Sequence, residues 1–183
     1  MKTKLLLATV LLTPLGYLLY RLLTGRADDP IEYIYAVTGS TALTLLFVTT
    51  TISMVRRVVN LLRYRRIVGL FSFFYALLHM LNFIVLDMEF DFSEALHETL
   101  DKPFIFLGMS AFLILLFMAI TSLRVLFTKY YRYHKVIYLA LLLASIHFVM
   151  AQKALNMNQW GLLAVMTLIG IFKLLQRTGV LKL

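Results

Sequence analysis

The chain has 183 residues, 61% of them hydrophobic and 15% charged, with a mean hydropathy of +0.86 and a net charge of +9. A soluble domain carries roughly 45–50% apolar and about 25% charged residues, so the apolar surface here exceeds what one water-soluble core can hide, and lipid is the expected solvent. The absence of cysteine excludes disulfides, thiolate metal centres, iron–sulfur clusters and covalent C-x-x-C-H haem attachment.

Six apolar stretches follow in order, at about 5–23, 36–55, 67–86, 103–123, 134–151 and 159–175. Each is close to the roughly 20 residues a helix needs to cross a bilayer. Unbroken apolar runs, rather than short alternating ones, exclude a membrane barrel and leave helices. The first stretch imitates a signal peptide, but Leu18-Leu19-Tyr20-Arg21 stands where a small-residue cleavage site belongs, so it is read as an uncleaved span. Pro103 is placed to open a helix, with Asp101 or Thr99 as its expected cap. The expected architecture is all-α: six transmembrane helices in one domain, 1–183.

Charge sets the expected orientation. Arg56, Arg57, Arg63, Arg65 and Arg66 follow the second span, and Arg124, Lys129, Arg132 and Lys135 follow the fourth, with no acid among either group. The N-terminal lysines and the C-terminal basic residues fall on the same side, giving 14 of the 18 basic residues. All nine acids fall on the other side, six of them between Asp87 and Asp101. Both termini are therefore expected in the cytoplasm and the acidic loop 87–102 outside. The basic excess is then a topology signal, not a nucleic-acid surface.

Histidines carry the chemistry. An ionisable group inside a span is a functional candidate because burial is costly there. His79 lies 13 residues beyond Arg66 and His147 lies 13 beyond His134. The third and fifth spans run in the same direction, so both imidazoles sit about 20 Å from the inner edge at 1.5 Å per residue. Two imidazoles at one depth on separate helices suit axial ligation of a haem iron. Zinc would want a third or fourth ligand, and no acid lies at that depth. His134 sits near the basic face, where a second haem would need a partner from the third span. Arg65 and Arg66 occupy that place, and 13 residues turn the helix to a face about 140° away. His134 is thus either a ligand or flavin contact, or an interfacial histidine. His97 is expected to be solvated. Arg65 and Arg66 suit a flavin phosphate or an electron donor, and equally suit ordinary basic-side anchors.

Several short stretches run in order along the chain: Asp29-Pro30-Ile31-Glu32 with Thr38-Gly39-Ser40-Thr41-Ala42-Leu43, and Arg65-Arg66-Ile67-Val68-Gly69-Leu70 leading to Ala76-Leu77-Leu78-His79. Lys102-Pro103-Phe104 with Leu107-Gly108, Thr121-Ser122, Tyr133-His134-Lys135-Val136-Ile137-Tyr138-Leu139 and Ile146-His147-Phe148 continue the series. In these stretches the sequence resembles the YedZ/MsrQ family of haem-binding membrane subunits. Met54-Val55 departs from the Thr-Pro-Leu common there. The resemblance implies a ferric-reductase-like core over about 36–151 in a bacterial inner membrane. It implies haem b on His79 and His147, with His134 as an additional cofactor-binding histidine, and flavin mononucleotide (FMN). Electrons would come from the quinone pool or a cytoplasmic flavin reductase and leave to a periplasmic molybdopterin subunit that repairs methionine sulfoxide. With no Ser/His/Asp set or phosphate-cradling glycine loop, the chain is expected to be an electron-transfer subunit, not the catalytic one. The alternatives are a stand-alone transmembrane haem reductase and a non-redox transporter or scaffold.

Overall fold

The computed structural model describes residues 2–54 and 60–152 and, beyond them, Met157, Trp160, Gly161, Ala164, Thr167, Leu168 and Ile171. Most of the expected sixth span, 159–175, therefore lies outside the described residues, as do Arg56 and Arg57. Helix α1 is Lys2–Leu23 and α2 is Pro30–Met54. Helix α3 is Leu62–Leu81, extended by a π-helical turn at Asn82–Asp87. Helix α4 is Phe92–Asp101, α5 is Pro103–Thr121 and α6 is Arg124–Tyr130; a 3₁₀ turn, Tyr131–Val136, leads into α7, Ile137–Ala151. The described residues contain no strand and five stretches long and apolar enough to cross a membrane. The protein is all-α and multi-pass.

Two sequence expectations need correction. The acidic loop 87–102 is not irregular: Asp91 accepts from the backbone N–H groups of Ser93 and Glu94 and starts α4, an N-cap that satisfies otherwise orphaned donors. Neither Asp101 nor Thr99 caps α5. Its N-cap is Lys102, without a side-chain bond, while Thr99 turns back to the Ala95 carbonyl and Asp101 ends α4. With helices on both sides of one residue, Pro103 makes the start of α5 by itself.

The core is made of α2, α3, α5 and α7. The most extensive pairings are α2 with α3 and α5 with α7, and the two pairs meet through α3–α5 and α2–α7. Leu46, Leu115, Ile137 and Ala140 close that meeting line. Hydroxyls within the spans are satisfied locally: Thr49 donates to the Leu45 carbonyl, Thr121 to Phe117 and Ser145 to Leu141. This is what lipid demands of a polar group that cannot reach water.

Helix α1 packs on α2 and α3 around a defect. Pro14 cannot donate to the α1 ladder, and Thr13 Oγ1 donates to the Val10 carbonyl at 2.7 Å. The fully buried Tyr75 of α3 places its hydroxyl beside this break, donating to Leu11 O at 2.8 Å and accepting from Leu15 N at 3.2 Å. Tyr75→Phe removes both bonds at a buried site, so unfolding in detergent is expected to become easier by about 1–3 kcal/mol. A thermal melt of the purified variant measures this; an unchanged midpoint would mean that the α1 ladder closes without help.

Candidate functional site

The spans bring His79 of α3 and His147 of α7 together, with ring centroids 6.0 Å apart and ring planes at 87°. Both rings are half-buried. A metal bound by imidazole nitrogens lies roughly 2 Å from each, so two such bonds plus the half-ring beyond each come to roughly 6 Å. The separation fits one metal ion held between the two rings.

The hydrogen bonds fix which nitrogen is free. His147 Nδ1 lies 2.6 Å from the Phe104 carbonyl of α5, and a carbonyl only accepts, so this nitrogen carries the proton. His79 Nδ1 lies 3.3 Å from Thr38 Oγ1 of α2. The Thr38 hydroxyl already donates to the Ile34 carbonyl, so it accepts from His79. The Tyr35 carbonyl is a second acceptor beside it. Each Nε2 is left with its lone pair. Pinning the far nitrogen to a carbonyl or hydroxyl is how proteins orient a metal-binding imidazole.

Two glycines make the close approach possible. A Cβ on Gly108 would stand 2.7 Å from His147 Nδ1, and one on Gly39 would stand 2.9 Å from His79 Nδ1 and Cε1. At either distance an added Cβ would force the ring to shift. The two halves repeat one device: an aromatic residue, then glycine four positions on, then histidine on the next core helix. Tyr35 and Gly39 flank His79, and Phe104 and Gly108 flank His147. Forty residues separate Gly39 from His79, and thirty-nine separate Gly108 from His147. Tyr35 meets the His79 ring edge-on at 5.2 Å, and Phe104 stacks on His147 at 6.0 Å.

One helical turn beyond His79, Asn82 is buried. Its Nδ2 donates to the Ile31 carbonyl at 3.2 Å, but its Oδ1 has no donor among the described residues. A buried acceptor left unpaired costs about 1–3 kcal/mol, and a donor on a bound group or water would relieve it.

His134 does not join the pair. Its Nε2 lies 3.0 Å from Thr121 Oγ1. That hydroxyl donates to the Phe117 carbonyl, so His134 Nε2 carries the proton and Nδ1 is the free atom, the reverse of His79 and His147. His134 instead lines a cavity of about 770 Å³ with Arg65, Arg66, Ser122 and Tyr131, floored by Phe73 and Leu115. That volume lies within the range of cofactor pockets, roughly 300–1,000 Å³. Phe73 stacks on Phe112 at 5.9 Å; by helix register this pair stands between the cavity and the histidines. His97 is exposed and faces Asp101 at 3.4 Å.

The sequence profile described as ferric reductase like transmembrane component matches residues 42–149. A Brucella ovis protein named protein-methionine-sulfoxide reductase heme-binding subunit MsrQ is 33% identical over 156 residues, covering 81% of this chain and 71% of its own. A Herminiimonas arsenicoxydans protein of the same name is 37% identical over 156 residues, covering 80% and 71%. The chain belongs to the MsrQ family. No solved structure matches it.

In this MsrQ-family chain, sequence reasoning singled out the two histidines at matching depth but missed Gly39, Gly108, Thr38, Tyr35, Phe104 and Asn82 as parts of their setting. A signal existed, since the aromatic-to-glycine spacing occurs twice at nearly equal distance from a histidine. Arg65, Arg66 and His134, assigned separately from sequence, line one cavity. Among the described residues no group of three or more His, Asp or Glu is placed to hold a metal ion. The donor set of the facing pair therefore suits a metal whose equatorial ligands come with it.

Proposed function

We propose that the chain is a haem b electron-transfer subunit of a membrane methionine sulfoxide reductase system, with His79 and His147 as the axial iron ligands through Nε2. The observation that carries this reading is the facing pair with both Nδ1 protons committed to neighbouring helices. Haem bound there supplies a one-electron carrier within the bilayer. The chain's own residues orient the two imidazoles and leave room for them at Gly39 and Gly108.

The two ends of the bundle then have different tasks. The end bearing Arg63, Arg65, Arg66, Lys129, Arg132 and Lys135 is the cytoplasmic side by the positive-inside rule, and it carries the cavity with His134. The volume and lining of this cavity support FMN, or the head group of an electron donor such as quinone, as its occupant. Arg65 and Arg66 suit a phosphate, while His134 offers Nδ1 as an acceptor or as a contact to the ring system. A cytoplasmic flavin reductase is the other donor consistent with this face. The opposite end, rich in Asp and Glu, faces the periplasm of an inner-membrane protein. There a molybdopterin subunit resembling MsrP would collect electrons, steered by charge if its docking patch is basic.

Protein purified from cells supplied with haem is expected to show a Soret band and a reducible b-type spectrum; a preparation without one overturns the proposal. The double change Arg65→Ala with Arg66→Ala is expected to weaken FMN binding ten- to a hundredfold, since charged hydrogen bonds contribute about 1.5–3 kcal/mol. Flavin fluorescence titration reads this, and the haem spectrum should stay unchanged.

A further inference from the structure

Helix α4 has three different faces on ten residues. Ala95 and Thr99 are 5% and 8% exposed and lie against α5 and the π-helical turn, the elements that α4 packs on. Phe92, Leu96 and Leu100, at four-residue spacing, are 68%, 61% and 64% exposed. Glu94, Glu98 and Asp101 occupy the remaining flank, where Glu98 pairs with Lys102. At about 100° per residue, the apolar row lies roughly 80° to one side of the buried row and the acids roughly 110° to the other.

We infer that α4 lies in the plane of the membrane surface at the acidic end of the bundle, with Phe92, Leu96 and Leu100 seated in lipid and the acidic row turned to water. Both ends of the helix are tied to spans. Four residues separate it from the end of the π-helical turn at Asp87, and Lys102 alone separates it from α5. Its axis is therefore held at the level where the apolar spans stop. The apolar surface is also continuous: Leu86, just before α4, is 44% exposed and Phe106, just after it, is 50% exposed. Both belong to stretches that cross the membrane. Protein on one side, hydrocarbon on the second and water on the third is the environment of an interfacial helix. The acids rule out attraction to anionic lipid as the cause, so apolar contact alone seats the helix and a neutral lipid suffices.

The chain has no cysteine, so single-cysteine variants can be labelled without background. Leu96→Cys, Leu100→Cys and Glu94→Cys, the last at an exposed acid on the far side of the helix from the apolar row, each carrying an environment-sensitive fluorophore, are reconstituted in phosphatidylcholine vesicles with and without brominated acyl chains. Labels at 96 and 100 are expected to emit at shorter wavelength and to be quenched severalfold more by bromine than the label at 94. Equal quenching at 96, 100 and 94 would overturn the inference. Shielding of 96 and 100 that appears only on adding a soluble partner subunit would overturn it as well, and would assign the apolar row to protein docking. The readout does not involve haem, so it stands or falls apart from the proposed function.

Discussion

Changing His79 or His147 to alanine is expected to remove nearly all of the haem absorption, with either single change as severe as both together. In the proposed site each imidazole would supply one of two bonds to a single iron, so a single alanine would leave the group held from one side only. A structural role for these histidines would also lower haem content, so the deciding arm is rescue. Imidazole added to either alanine variant fills the space left by the ring and should restore a low-spin spectrum, which a misfolded bundle would not do. His134→Ala is the contrast. Its Nε2 proton goes to Thr121 Oγ1 at 3.0 Å and it stands apart from the pair, so the b-type spectrum should survive. Loss of the Soret band in His134→Ala with retention in His79→Ala would invert the assignment.

The second large effect comes from adding a single methyl group. Gly108→Ala would put Cβ 2.7 Å from His147 Nδ1, and Gly39→Ala would put it 2.9 Å from His79 Nδ1. The imidazole must retreat, and in doing so it lengthens the bond to Phe104 O or to Thr38 Oγ1. Overpacking of this kind costs about 1–3 kcal/mol, a roughly five- to 150-fold loss of haem affinity, together with a changed ring orientation in the low-spin electron resonance signal. Gly16→Ala is the control, because its added Cβ meets nothing within 4 Å. If Gly39→Ala and Gly108→Ala bind haem like the parent, the glycines are there only for helix packing.

Much of the fold was legible because lipid imposes one requirement over and over. An apolar run of membrane-crossing length must be helical for its backbone to be satisfied, and the five described spans begin and end near where the hydropathy of the sequence changes. The α4 helix was missed for the same reason: within 87–102 the acids dominate the composition, and the four-residue rhythm of Phe92, Leu96 and Leu100 is visible only once a helix is assumed. The caps proposed for α5 failed because Thr99 belongs to the helix before it and has its own carbonyl at Ala95 to bond.

At the site, matching depth was readable from spacing alone, since 1.5 Å per residue converts position along a span into height. Spacing says nothing about azimuth. Whether His79 and His147 face each other, face lipid or face different partners depends on how α3 and α7 rotate in the bundle. That rotation is set by contacts far apart in sequence, such as Ser72 Oγ donating to Ala42 O at 2.8 Å and Val68 and Tyr75 buried against Leu45 and Leu11. The sequence by itself determined a multi-pass helical protein, the segregation of its charges and the shared height of two histidines. Only the tertiary structure decided that the rings meet, that both hold their protons on Nδ1, and that two glycines give them room, because these follow from packing between helices and not from periodicity within any one of them.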